Sequence, residues 1–312
     1  MKRVIFTTLA CIFTLGIGFA AERHTMQYAE KGGEKLLLDH YPAVGVEGLR
    51  PCVIFAFGGG FVRGDRAHKD YASYFESLTA AGYDVVSIDY RLGLKNPPSD
   101  IGLRDVIALM KRSVDYAAED LMSATRFVLD HAAEWSIDPA KIVVSGSSAG
   151  AIATLQAENY ICNGDRRAKE ILGDYNFAGV VSMAGAVFSV GGRPKWNGET
   201  CPIMMFHGSS DRNVPYNKAS IFGIGFYGSK LVAKQLRRRG GAYWYHSAKY
   251  RSHIIAEEPM TRNIGEIIDF IEKCVKGGEH LQVVTEVTDC NIEKQPTRFS
   301  VKEYLSANYS RK

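Results

Sequence analysis

Short apolar runs along this chain alternate with stretches of helical periodicity. Cys52-Val53-Ile54-Phe55-Ala56-Phe57 is continuously apolar, and Lys141-Ile142-Val143-Val144-Ser145, 84–90, 177–182, 202–208 and 242–248 also read as strands. Continuous rather than alternating apolarity marks strands covered on both faces. Helical patterning lies between them, near 69–81, 113–135, from Ala151 onward, about 227–239 and from about 257. Residues 26–29 and 35–41 flank Gly32-Gly33 and predict an opening β-hairpin. Asn96-Pro97-Pro98-Ser99 interrupts 91–112, which reads as a small lid or substrate rim. The pattern predicts an α/β fold with a mainly parallel central sheet and helices on both faces. Ligands of such a sheet bind beyond the carboxyl ends of its strands.

One strand ends at a candidate nucleophile. Gly146-Ser147-Ser148-Ala149-Gly150 follows the 141–145 run directly and opens into the helix-compatible Ala151-Ile152-Ala153-Thr154-Leu155-Gln156. A G-x-S-x-G match is common by chance in a chain with 31 glycines, and an ordinary strand-to-helix turn would also satisfy it. The strand before and the helix after point instead to a nucleophile elbow, with Ser148 at the apex and glycines where side chains would collide. A second run, 52–57, ends in Gly58-Gly59-Gly60. Acyl transfer passes through an oxyanion that requires converging backbone N–H donors, and a glycine loop can turn its amides toward one point. No Gly-Lys-Ser or Gly-Lys-Thr follows, which disfavours a phosphate loop.

With these two motifs the chain resembles the α/β-hydrolase superfamily, in particular its hormone-sensitive-lipase-like and carboxylesterase-like enzymes, from about Leu36 to Val275. The resemblance implies an α/β-hydrolase fold and a serine, acid, histidine order along the chain. Asp211, in the polar turn after the 202–208 strand, stands where the family places its acid. His253, in the loop after the 242–248 strand, is the matching base. The family pattern gives the oxyanion to the amides of Gly59, Gly60 and Ala149. Phe57 departs from it, because the family's loop usually begins with histidine, and this leaves the anchoring of the loop open. Asp174 is the chief rival acid, in what reads as a plain turn. Among the histidines, His207 reads as ordering the turn before the acid and His246 as a packed sheet residue. His24, His40, His68, His131 and His280 do not follow the last core strand. Phe61, Phe222 and Phe226 are the candidate substrate-pocket residues.

The implied chemistry is serine-based hydrolysis of carboxylic esters through an acyl-enzyme, with short acyl chains and acyl groups on carbohydrate as the expected substrates. A serine peptidase on the same scaffold usually carries a large gating domain for which this chain has no room. A binding protein retaining the fold is opposed by the joint presence of serine, acid, histidine and glycine loop. No cofactor or metal is expected, since no cluster has metal-ligand spacing.

Composition and the termini refine this picture. The chain has 312 residues and 46% hydrophobic content, compatible with one continuous sheet enzyme. Lys2 and Arg3, the apolar 4–19 stretch and Gly18-Phe19-Ala20 read as a cleavable export signal over 1–20. The sixteen-residue 4–19 stretch is short for a membrane span, so no stable span is expected after processing and a secreted or periplasmic location is, with an uncleaved membrane anchor as the weaker alternative. The net charge of +4 falls to +2 without Lys2 and Arg3, which gives no case for nucleic acid. The catalytic domain is expected over 21–276, with a C-terminal extension over 277–312. In that extension 281–287 reads as an extra strand and 300–309 as a short helix, or the whole as an exposed appendage. Five cysteines remain beyond the signal, an odd number; Cys162 with Cys201 and Cys274 with Cys290 are possible pairs. Gly223-Ile224-Gly225-Phe226-Tyr227-Gly228 matches the dinucleotide fingerprint, but no strand precedes it and no acid follows at about twenty residues. It reads as a loop near the mouth of the site.

Overall fold

A computed structural model describes residues 23–96 and 102–299. The expected export signal, Pro97 to Ser99 and the 300–309 segment lie outside the described residues. The chain opens with the hairpin β1 (His24–Lys31) and β2 (Glu34–Tyr41), followed by β3 (Arg50–Ala56), α1 (Ala72–Ala80) and β4 (Asp84–Ile88). Helix α2 (Leu103–Trp135), β5 (Ile137–Ser147), α3 (Ala149–Cys162), α4 (Arg166–Leu172), β6 (Gly179–Met183) and β7 (Ala186–Ser189) come next. Then follow β8 (Ile203–Gly208), β9 (Lys218–Ile221), β10 (Ile224–Gly228), α5 (Ser229–Arg239) and β11 (Tyr243–Lys249). Short helices α6 (Pro259–Arg262) and α7 (Ile264–Phe270) lead to β12 (Gln282–Thr288).

Among the described residues, nine strands form one sheet in the order β1-β2-β4-β3-β5-β6-β8-β11-β12. The hairpin joins β4 antiparallel, and every pairing from β4 to β12 is parallel. Strands β4, β6 and β8 are buried at every residue, as in a parallel sheet covered on both faces, and the polar Asp84 of β4 is paired with His40 and Arg50. Helix α3 packs on β3, β5 and β6, while the turn that continues α7 over 271–276 packs on β5 and β6. Helix α2 turns Val114, Ala117, Ala118, Leu121, Thr125, Val128 and Ala132 inward at spacings of three and four. The strand order places Gly58, Ser148, Asp211 and His253 all beyond the carboxyl ends of parallel strands.

Several sequence expectations change. Helix α2 begins at Leu103 rather than near 113, because Ile107 and Met110 continue its apolar stripe and Asp105 accepts the Gly102 N–H at 3.2 Å. Residues 223–228 are not a loop: β10 pairs with β7 and β9 in a separate antiparallel sheet. Gly225 is required there, since at φ 148° a Cβ would stand 2.1 Å from the Ala219 carbonyl oxygen. The apparent fingerprint is therefore a strand motif serving close backbone approach. Helix α5 starts at Ser229, after that strand ends. Beyond residue 277, β12 pairs parallel with β11 and extends the central sheet. All five described cysteines are thiols, four of them buried and Cys290 exposed.

Candidate active site

The elbow at Ser148 is dictated by close packing. A Cβ at Gly146 would lie 2.4 Å from the Gly150 carbonyl carbon, and one at Gly150 would lie 2.0 Å from the Ala56 carbonyl oxygen. Only glycines allow strand β5 to turn into α3 against β3. Ser148 itself takes φ 51° and ψ −111°, a strained conformation for a residue with a side chain. Its backbone is held at both ends, its N–H donating to Met183 O at 2.9 Å and its carbonyl accepting from Ile152 N at 2.9 Å. The strain is thus fixed by surrounding structure, and the residue borders the cavity described below.

Ser148 Oγ stands 2.8 Å from His253 Nε2, and His253 Nδ1 stands 2.8 Å from Asp211 Oδ2. The other oxygen of Asp211 accepts the N–H groups of Asn213 at 2.8 Å and Val214 at 2.9 Å. Burial pushes the Asp211 carboxyl up, but hydrogen bonds from His207 and His253 outweigh it and hold the group well below the usual carboxylate range. A carboxylate so fixed keeps the Nδ1 proton in place and leaves Nε2 free to accept from the serine hydroxyl. Such a chain can deprotonate the serine oxygen as it attacks an electrophilic carbon.

The loops carrying acid and imidazole are tied together. Ser210 N donates to Arg251 O at 3.0 Å, and Tyr250 N donates to Ser209 Oγ at 2.8 Å. Arg251 in turn donates to Glu258 at 2.6 Å, bracing the turn that bears His253. His207 is fully buried, with Nδ1 2.8 Å from Ser229 Oγ and Nε2 3.4 Å from Asp211 Oδ2. It therefore orders the acid's turn and also touches the acid. His246 is buried in β11 against Glu266 at 2.9 Å, and Asp174 is exposed in a turn far along the chain from either loop.

Phe57 solves the anchoring of the glycine loop without a histidine. Its ring stacks on Tyr90 at 4.5 Å, and the Tyr90 hydroxyl donates to the Phe57 carbonyl at 2.8 Å. Burial pushes the Tyr90 phenol well up, so it remains a donor. Gly58 N donates to the Tyr71 hydroxyl at 3.3 Å, and the Gly59 carbonyl receives Val62 N and Arg63 N at 3.1 and 3.2 Å. Neither tyrosine carries a motif signal; each is recognisable only once the strands are assembled. Ala149 opens α3, so its N–H is among the first-turn donors that lack an intrahelical acceptor.

A cavity of about 560 Å³ contains this constellation, bordered by Gly58 to Arg63, Ser148, Ala149 and His253. Phe61 and Phe226 line it together with Met110, Ile152 and Val214. Phe222 does not: it lies at the β9–β10 turn and is 101% exposed. Met110 and Ile152 escaped the sequence reading because each is one more apolar residue on a helix. Among the described residues no group of three or more His, Cys, Asp or Glu side chains could hold a metal ion.

A family model described as BD-FAE matches residues 38–185. Esterase LipI of Mycobacterium tuberculosis is 34% identical over 100 residues, covering 32% of this chain and 26% of its own length. Gut esterase 1 of Caenorhabditis briggsae is 30% identical over 135 residues, covering 43% and 23% respectively. Fumonisin B1 esterase of Sphingopyxis macrogoltabida is 34% identical over 115 residues, covering 35% and 20%. The chain thus spans about a quarter or less of the length of these curated relatives. Among solved structures, esterase 2 of Thermogutta terrifontis superposes with a TM-score of 0.59 at 21% identity, over 83% of this chain and 93% of that one. Its butyrate-bound form gives a TM-score of 0.60. At that identity the likeness establishes the fold.

Proposed function

We propose that this chain, whose fold matches that of solved esterases, is a serine esterase of the α/β-hydrolase superfamily that cleaves carboxylic esters through an acyl-enzyme on Ser148. The observation that carries the reading is the continuous hydrogen-bonded chain from Ser148 Oγ through His253 to Asp211, each link 2.8 Å long. The esterase names of the partial relatives support the same chemistry.

The reaction follows from the geometry. Ser148 Oγ attacks the ester carbonyl carbon while its proton passes to His253 Nε2. The resulting imidazolium is stabilised by Asp211, whose carboxylate stays ionised. The carbonyl oxygen becomes an oxyanion, for which the amides of Gly59, Gly60 and Ala149 are the assigned donors. One such donor is worth about 10²–10³ in rate. Collapse breaks the bond to the alcohol oxygen, which leaves with the proton from His253. Water then gives a proton to His253, adds to the acyl carbon and releases the acid, returning the proton to Ser148.

We assign the acyl half of the substrate to the part of the cavity lined by Phe61, Met110, Ile152, Val214 and Phe226. Short acyl groups, carried on carbohydrate, are the substrates we assign. The charged and then apolar 1–20 segment supports action outside the cytoplasm. The test is a series of nitrophenyl esters of increasing acyl length, with Ser148→Ala and His253→Ala in parallel. The proposal requires hydrolysis that declines with chain length and that both substitutions abolish. A wild type no faster than Ser148→Ala overturns it.

A further inference from the structure

The small sheet of β7, β10 and β9 ends in an aromatic turn exposed to solvent. Ile224 pairs with Ile221, so Phe222 and Gly223 alone form the β9–β10 turn, with φ 50° and 82°. Positive φ at both central residues is the type I′ pattern, for which Asn-Gly or Gly-Gly is the favoured pair. A bulky aromatic in the first of these positions is a backbone outlier. Its ring is fully exposed, so no contact within the fold offsets the strained conformation. Ile221 and Val190 are exposed as well, and Gly192 N donates to Gly223 O at 3.0 Å, which holds the 190–192 turn against the hairpin tip. We propose that this tip is a membrane-docking element that inserts Phe222, Ile221 and Val190 into the interface of an anionic lipid bilayer. The inference goes beyond the esterase reading and does not depend on it.

Electrostatics selects the partner. No Asp or Glu occurs in 175–198 or 212–256, the stretches that supply β7, β9, β10 and α5. Cations do occur there: Arg193 and Lys195 are exposed just after the 190–192 turn, and Lys218 is exposed at the start of β9. The chain then follows α5, where Gln235 donates to Pro194 O at 2.6 Å and Arg239 donates to Asn197 O at 3.0 Å. Through these contacts the apolar tip is continuous with segments that carry positive charge alone. Apolar side chains flanked by Lys and Arg match a negatively charged lipid surface, into which such residues insert without any spanning segment. A second copy of this chain set tip to tip would bring each Arg193 toward the other, and like-charge repulsion opposes that pairing. The tip is also convex, and a bilayer accepts a projecting ring without a preformed pocket. Phe226, four residues along β10 from Phe222, lines the catalytic cavity, so a bilayer engaged at the tip lies about 13 Å from the cavity wall along this strand.

The test places a reporter at the tip. The full chain carrying Phe222→Trp is mixed with vesicles of phosphatidylcholine and phosphatidylglycerol, either plain or brominated on the acyl chains. The 1–20 segment is largely apolar and can bind vesicles by itself, so binding of the chain is not the readout. The readout is indole emission from the tip, corrected with the unsubstituted protein and its three tryptophans. The expected result is a blue shift on these vesicles and quenching by the brominated lipid. Adding Arg193→Gln/Lys195→Gln removes two cations, each worth roughly fivefold in binding an anionic surface, and should weaken the quenching several-fold. Both side chains are exposed, and Lys195 contacts α3 through its carbonyl, so the fold is kept. Tip emission that neither shifts nor is quenched overturns the inference, as does quenching that survives loss of the two cations unchanged. An unquenched tip in a protein that sediments as a dimer, and as a monomer with Phe222→Asn, assigns the surface to a second copy and overturns it too.

Discussion

Replacing Asp211 by asparagine preserves shape and removes charge, so it isolates what the carboxylate does. Oδ1 of Asp211 accepts two backbone N–H groups, from Asn213 and Val214, at 2.8 and 2.9 Å. In the Asp211→Asn variant the same two donors hold the amide oxygen in the place of Oδ1, which leaves the amide NH2 at the position of Oδ2. That position is 2.8 Å from His253 Nδ1. An N–H donor there requires Nδ1 to accept, and the ring proton moves to Nε2. Nε2 faces Ser148 Oγ at 2.8 Å and in this tautomer cannot take its proton. The base is lost while every heavy atom stays in place, and a wrong-tautomer defect of this kind costs about 10⁴ in kcat, or roughly 5 kcal/mol of barrier. The assay is steady-state hydrolysis of 4-nitrophenyl acetate near pH 8, with a thermal melt to establish that the variant is folded. A folded Asp211→Asn protein within tenfold of wild-type kcat would refute the tautomer argument.

Three further outcomes can be measured. Tyr90→Phe removes the donor to the Phe57 carbonyl and should lower stability by about 1–3 kcal/mol, with kcat falling more than KM rises; an unaltered kcat would show that Tyr90 does not hold the loop. Gly59 has φ 126°, and a Cβ there would lie 1.9 Å from the Arg63 carbonyl oxygen, so Gly59→Ala should displace the loop and reduce kcat by about 10²–10³ in the nitrophenyl assay. Glu158 is fully buried, its pKa pushed from 4.5 up to about 8 by burial, which outweighs the bonds from Cys201 and Asn176. The native state then holds a proton that the unfolded state releases, so this group's contribution to stability falls as pH rises from about 4.5 to 8. Glu158→Gln should remove that slope, gaining on the wild type by several kcal/mol across the interval in denaturant titrations at about pH 5 and pH 8; parallel pH curves for the two proteins would contradict it.

The parts of this site that are legible in sequence are those set by backbone rules. Ser148 is visible because a strand, a glycine-flanked turn and a helix must follow one another there, and Gly146 and Gly150 indeed have no room for a Cβ. Asp211 and His253 are found by family order and by their positions after strands β8 and β11, not by any property of their own neighbours. Tyr71 and Tyr90 depend on side chains brought together by sheet assembly, and no local spacing announces them; His207, four residues before Asp211, reads from sequence as ordering the acid's turn, and the structure adds its contact with the carboxylate. The same limit explains two misreadings. The glycines of 223–228 resemble a loop because their reason, close approach to β9, lies in another strand. Phe222 resembles a pocket residue by composition, but the register of β9 with β10 places it at an exposed turn.

The central claim is that an acyl group passes through Ser148, and the most direct test is to catch it there. The protein is mixed with a slowly turned-over nitrophenyl ester, quenched in acid during turnover, and measured by intact mass and peptide mapping. The account predicts one acyl group per chain, on the peptide containing Ser148, absent in Ser148→Ala and strongly reduced in His253→Ala. Acylation at another residue, or hydrolysis persisting in Ser148→Ala, would contradict it.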